Sequence, residues 1–264
     1  MKSLYKKYSK EFNLLFVILG IFFIIASWEL ISYLVDEPYV FPSFSYTFVR
    51  LFALLRLSKT YEALFFSLGI SLLAILVSTI LAIILGTIAG LSKPFKSFLS
   101  PLISIFKTVP TVLVVIILII FFKNILSYLI IVFLIVFPII YEACAKGIES
   151  IDINIYDSLR LEGLYRPKSI FKVILPMSES YINSGLASAI GIGIKVEIMA
   201  EILVGSDLNY GIGSLIYEIK AITFEYRDLY AYTIIILLMF LVIDLLLYIF
   251  KKVFFKNFLP SKRD

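Results

Sequence analysis

The stretch YDSLRLEGLYRPKSIFKVILP, residues 156–176, sets Asp157, Arg160, Glu162, Arg166, Lys168 and Lys172 in the middle of a chain that is 61% hydrophobic. On both sides the sequence turns apolar, over about 124–145 and about 180–204. About 20 helical residues, at roughly 1.5 Å each, cross the roughly 30 Å of hydrocarbon in a bilayer. The quoted stretch therefore reads as a polar connection between two membrane-crossing helices. Outward from it lie four more runs of that kind, near 13–35, 63–91, 97–122 and 229–250. The fold class these runs predict is all-α, an integral membrane protein with six transmembrane helices. We read residues 1–264 as one transmembrane domain, with its core over 60–255 and a polar loop over 146–179.

Composition agrees with that class. The chain has 24 Phe, 16% charged residues and a mean hydropathy of +1.02, whereas soluble domains carry about a quarter charged residues. A β-barrel would show short alternating strands in place of continuous apolar runs. The first run is too long for a signal-peptide core and lacks a small-x-small cleavage site, so it reads as a retained span. There is no histidine, hence no imidazole base or metal ligand, and the single Cys144 excludes an internal disulfide. No G-x-x-x-x-G-K-[ST] motif is present to hold a nucleotide. No cofactor and no metal are expected.

Lysine and arginine concentrate on the cytoplasmic side of membrane proteins. With the N-terminus inside, sixteen of the 24 fall at the termini and on the even-numbered connections, six fall outside, and Lys107 and Lys195 lie within spans. Both termini and the 146–179 loop are thus expected in the cytoplasm of a multi-pass protein of the cell membrane. The net charge of +5 follows from this topology and requires no nucleic-acid partner. Of the outer connections, 36–62 holds Pro38, Pro42 and an amphipathic run, predicting a helix against the outer interface. The other, 205–228, carries Asp207, Glu218, Glu225, Asp228 and GIGSLI. A solvated loop and a docking surface both fit it.

The polar loop has internal order. Asp152 is placed to cap a helix that begins INIYDSLRLEG, in which Ile155 and Leu159 share a face, as do Leu161 and Tyr165. Gly163 permits a turn and Pro167 discourages continuation. A second helical piece, with Ile170, Val173 and Ile174 on one side, ends at Pro176. Periodicity leaves two readings open: a solvated loop, or a helix presented to the groove of a cytosolic partner.

Charges within spans are costly and usually face the bundle interior. Glu197 and Glu201, four apart, share a face, while Lys195 lies about 200° from Glu197 by helical phase. Partners are therefore expected on other helices, with Lys107 and Glu29 as candidates. Either these groups brace the bundle by interhelical pairing, or Lys107 or Lys195 lines the path of an anion. The small residues of SGLASAIGIGIK, ending at Lys195, permit close helix approach.

The polar loop also resembles a family. Permease subunits of bacterial ATP-binding-cassette importers share the pattern E-A-A-x3-G-x9-I-x-L-P, and this chain reads D-S-L-x3-G-x9-V-x-L-P from Asp157, Ser158 and Leu159 through Gly163 to Val173, Leu175 and Pro176. Ser158 and Leu159 depart from the alanines, and Glu162 occupies a position often apolar. FPSFSYTFVRL, LGTIAGLSKPFKSFLSPLISIFKTVP and KVEIMAEILVGSDLNYGIGSLI resemble further segments of the nitrate, sulfonate and taurine type, with Ile194 where many relatives carry Trp. The resemblance implies a type I importer permease fold without catalytic residues. It further implies a cytoplasmic ATPase subunit that docks on the 153–165 helix through Asp157, Leu159, Gly163 and Pro176. An extracytoplasmic solute-binding protein and a second permease copy, forming a homodimer, complete the implied assembly. The implied cargo is a small solute, either a sulfonate-, nitrate- or taurine-like anion or a thiamine-precursor-like compound. The alternative is an ion-coupled secondary transporter using Glu197, Glu201 and Asp244. A membrane enzyme is disfavoured by the absence of histidine and of a nucleophile's arrangement.

Overall fold

A computed structural model describes residues 2–122, 125–162, 166–205 and 211–258. Among them every regular element is helical: α1 (Lys2–Val35), α2 (Phe44–Leu54), α3 (Ser58–Leu91), α4 (Lys93–Thr108), α5 (Thr111–Phe121), α6 (Ile125–Glu149), α7 (Ile153–Glu162), α8 (Pro167–Ser169), α9 (Leu175–Met177), α10 (Glu179–Val204), α11 (Ile212–Glu218) and α12 (Tyr226–Phe258). Four helical stretches are long and apolar enough to cross a membrane: Leu15–Val35, Ser58–Leu91, Ile125–Glu149 and Tyr226–Ile249. Along Leu15–Val35 nothing is buried, and so contiguous an apolar surface calls for lipid. The fifth expected span, α10, has 26 residues, about 39 Å at helical rise. Its charges, Glu179, Lys195, Glu197 and Glu201, keep it from being apolar throughout.

The third expected span is broken in the middle. In place of one continuous helix, α4 and α5 meet at a 95° bend. Pro110 restricts the residue before it and lacks an N–H. Val109 (φ −69, ψ 127) and Pro110 (φ −56, ψ 125) are both non-helical, so the chain turns there. Pro101, nine residues earlier, sits inside α4 without ending it.

By internal contacts the chain divides into two compact units, Met1–Thr60 with Ile219–Ile243, and Tyr61–Glu218 with Asp244–Asp264. In the first, the Ser43 hydroxyl caps α2 by accepting from the Tyr46 N–H at 3.2 Å. One face of α2 buries Thr47, Leu51 and Leu54 while Phe48, Val49 and Phe52 remain exposed. The expected amphipathic helix is therefore present. Residues 36–43 are tied down by Trp28 donating to the Pro42 carbonyl (2.9 Å), Ser32 to that of Phe41 (3.1 Å) and Tyr230 to that of Val40 (2.7 Å). Rings of Trp28, Phe41, Phe44 and Tyr230 pack edge-on or tilted around them, the arrangement aromatic quadrupoles favour. Arg50 forks onto Asp228 with bonds of 2.7 and 2.6 Å, and that carboxylate raises the guanidinium pKa above its ordinary value.

The second unit is built around α6 and α10, which pack along each other. The small residues of α10 permit this. A Cβ on Gly185 would collide with that of Ala143, and one on Gly193 would press on Val136 and Ile75 at 3.0–3.1 Å. On the α3 side, a Cβ on Gly90 would lie 2.7 Å from Ile148. Close backbone approach through small residues is how helices associate where lipid removes the hydrophobic drive.

Candidate functional site

The helix expected to meet a partner is α7. Asp152 starts it, its carboxylate accepting from the Asn154 N–H at 2.7 Å and satisfying one of the orphan donors of a helix N-terminus. Ile155, Tyr156 and Leu159 face inward, onto a core of Cys144, Ile148, Ile174 and Ile182. The Tyr156 hydroxyl adds a bond to the Ile148 carbonyl at 3.1 Å. The outer face carries Ile153 (65% exposed), Asn154, Asp157 and Ser158. Leu159, expected among the coupling residues, is only 8% exposed and anchors the helix to its own chain. Asp157 is exposed on this face, and Pro176, on α9, is exposed as well. Gly163 lies outside the described residues.

Beyond Pro167 the chain stays helical, with wider π-type turns over Ile170–Ile174. Leu175 N–H reaches back five residues to the Ile170 carbonyl. Pro176 has no N–H to give, so the Lys172 carbonyl loses its i+4 donor just where the turns widen. The helix stops at Ser178, whose buried hydroxyl donates to the Ile174 carbonyl at 3.0 Å. From there α10 begins.

Of the two buried carboxylates of α10, Glu201 is the better satisfied. Ser67 on α3 places its hydroxyl 2.8 and 2.9 Å from the two carboxylate oxygens, and the Gly213 N–H donates to one of them at 2.8 Å. The Ile212 N–H in turn donates to Ser67 Oγ at 2.9 Å. Gly211 and Gly213 are required here, since a Cβ on the first would overlap the Glu201 carboxylate and one on the second would lie 2.5 Å from the Ile198 carbonyl. The segment GIGSLI, read from sequence as loop or docking surface, thus closes over Glu201 and continues as α11. Glu197 is fully buried, and neither of its oxygens has a hydrogen-bond partner among the described residues. Lys195 is exposed on another side of the same helix, as the phase argument required.

The two groups offered from sequence as partners for these charges, Lys107 and Glu29, each have a bond of their own. Lys107 bonds Glu142 of α6 at 2.7 Å, and Lys146 approaches the other oxygen of Glu142 at 3.7 Å. Glu29 accepts from the Ser45 N–H at 3.2 Å. Sequence reasoning passed over Glu142, although its place four residues before Lys146 is the spacing of a helical ion pair. It also passed over Ser67, one uncharged serine among several in α3.

Residues 78–259 match a family model described as "Binding-protein-dependent transport system inner membrane component". The bicarbonate transport system permease protein CmpB of Synechococcus elongatus is 29% identical over 144 residues, covering 54% of this chain and 51% of that protein. The nitrate import permease protein NrtB of Leptolyngbya laminosa is 31% identical over 169 residues, 62% of this chain and 59% of the relative. The permease protein SsuC of Bacillus subtilis, named for transport of aliphatic sulfonates, is 28% identical over 200 residues, 75% and 71% of the two chains. The chain spans about half the length of the bicarbonate permease that it matches.

Proposed function

The chain belongs to the family of inner membrane components of binding-protein-dependent transport systems, and from that premise we propose that it is the permease subunit of an ATP-driven importer for a small oxyanion. The observation that carries the reading is the family match over 78–259, which encloses α7. Two copies of the chain form the path, and an ATP-binding-cassette ATPase docks from the cytoplasm on the open face of α7. A solute-binding protein delivers cargo from outside. ATP-driven closure of the ATPases moves α7, and Leu159, Ile155 and Tyr156 transmit that motion to α6 and α10 because they are packed between them. Both termini face the cytoplasm. The chain makes and breaks no covalent bond, and its contribution is binding, packing and motion.

Bicarbonate and nitrate name the cargo of two relatives, and both are singly charged oxyanions. That shared chemistry supports the substrate class. Co-purification tests the reading: the chain should capture an ATP-binding-cassette ATPase, and Asp157→Lys on the open face should weaken capture without affecting membrane insertion. Failure of the wild-type chain to hold an ATPase would count against it. A second reading, ion-coupled transport through Glu197 and Glu201, draws on one observation, the buried Glu197 carboxyl. It requires uptake that follows an ion gradient without ATP.

A further inference from the structure

In the second unit, two open cavities of about 330 and 200 Å³ share Glu142 and Lys146 as wall residues. The larger is also lined by Lys107, Tyr181 and Ser184, the smaller by Lys96 and Tyr141. Glu142 holds Lys107 at 2.7 Å and Lys146 at 3.7 Å, so two cations share one carboxylate. Lys96 has its own partner, Glu149, at 2.6 Å. The lysines of the groove therefore outnumber these carboxylates by one. Lys107 and Lys146 are half-exposed or more, so both can reach a guest in the groove.

Tyr141 supplies an independent observation. Its side chain is buried, yet its hydroxyl has no hydrogen-bond partner among the described residues. Buried hydroxyls are rarely left unpaired, and this one belongs to a residue in the wall of the smaller cavity, which leaves it in need of an acceptor. Excess positive charge, hydroxyl donors and a phenol lacking an acceptor are what an anion with several acceptor oxygens would use.

We propose that this groove is a binding subsite for a small, singly charged oxyanion, of the class of bicarbonate, nitrate or an alkyl sulfonate. The proposal rests on the importer reading and adds to it a station within the permease itself. Lys107 and Lys146 supply the attraction, and Tyr141 with the serine hydroxyls supplies directional donors. Glu142 tethers both lysines and sets a limit. An ionised carboxylate only accepts hydrogen bonds, so it repels a second anionic charge and keeps the guest weakly held, as passage requires.

The test uses the full chain in lipid nanodiscs. Thermal unfolding is followed with sodium nitrate, bicarbonate or methanesulfonate replacing chloride at constant ionic strength. An oxyanion that binds the folded state should raise the midpoint by roughly 2–4 °C over chloride, and Tyr141→Phe and Lys107→Gln should each reduce that rise by at least half. Tyr141→Phe removes a hydroxyl without a partner among the described residues, so its fold should be unaffected. An absent oxyanion-specific rise in the wild-type chain, or a wild-type-sized rise in either variant, overturns the subsite. ATPase capture by these same variants should match wild type. Loss of capture by the wild-type chain would sink the importer reading, whereas an absent anion effect sinks only the subsite.

Discussion

Leu159→Ala should release α7 from the bundle without altering the surface it offers. The side chain is 8% exposed and packs on Cys144, Ile148, Ile174 and Ile182. Leu-to-Ala changes in cores cost about 2–5 kcal/mol. Leu159 is short of full burial, so the lower part of that range applies, about 2–3 kcal/mol. At about 1.4 kcal/mol per tenfold, local opening of α7 should become roughly 30- to 150-fold more populated. Hydrogen exchange read by mass spectrometry on peptides covering 153–162 reports that population directly. The Asp152 cap and the Tyr156 bond remain, so the helix should survive as a helix while losing its docking. Protection in α6 and α10 should be unchanged, and ATP-driven uptake should fall although ATPase capture persists. Unchanged exchange over 153–162 would refute the reasoning that Leu159 anchors this helix. Exchange that rises equally across α6 and α10 would show instead a general loss of fold.

Ser67→Ala removes a hydroxyl within 2.9 Å of both Glu201 oxygens and leaves the Ile212 N–H without its acceptor. A loss of about 1–3 kcal/mol is expected, read as a lower unfolding midpoint in detergent. Gly185→Leu should abolish monodisperse expression, because the Gly185 Cα faces Ala143 with no room for a side chain. Gly191→Ala should behave as wild type, since nothing lies within 4 Å of its Cβ position; size-exclusion profiles compare the two. For Arg50 and Asp228, a double-mutant cycle should give a coupling of about 0.5–1.5 kcal/mol, discounted for partial exposure and smaller in high salt.

Much of this architecture is legible in the sequence because apolar runs of membrane length have one cheap solution, the helix. The amphipathic α2 and the Asp152 cap are local signals, and both are found in the structure. The bend at Pro110 was not separable from Pro101, since a proline inside an apolar run reads the same whether the chain turns or continues. The partner of Lys107 lies 35 residues away on α6 and that of Arg50 lies 178 residues away; such pairings depend on helix packing, which a single sequence does not display. Face-sharing showed that Ile155 and Leu159 act together, but the side turned to the bundle had to come from the structure. That Glu197 and Glu201 are buried followed from their cost in lipid, whereas the Ser67 and Gly213 groups that meet Glu201 are chemically ordinary residues.

The central claim is tested most directly by transport. With this chain, an ATP-binding-cassette ATPase and a solute-binding protein reconstituted in proteoliposomes, uptake of a labelled oxyanion is measured with ATP on the cytoplasmic side. The account predicts accumulation that requires both ATP and the binding protein, and that stops when either is withheld. Uptake that continues without ATP and instead follows an imposed ion gradient would contradict it.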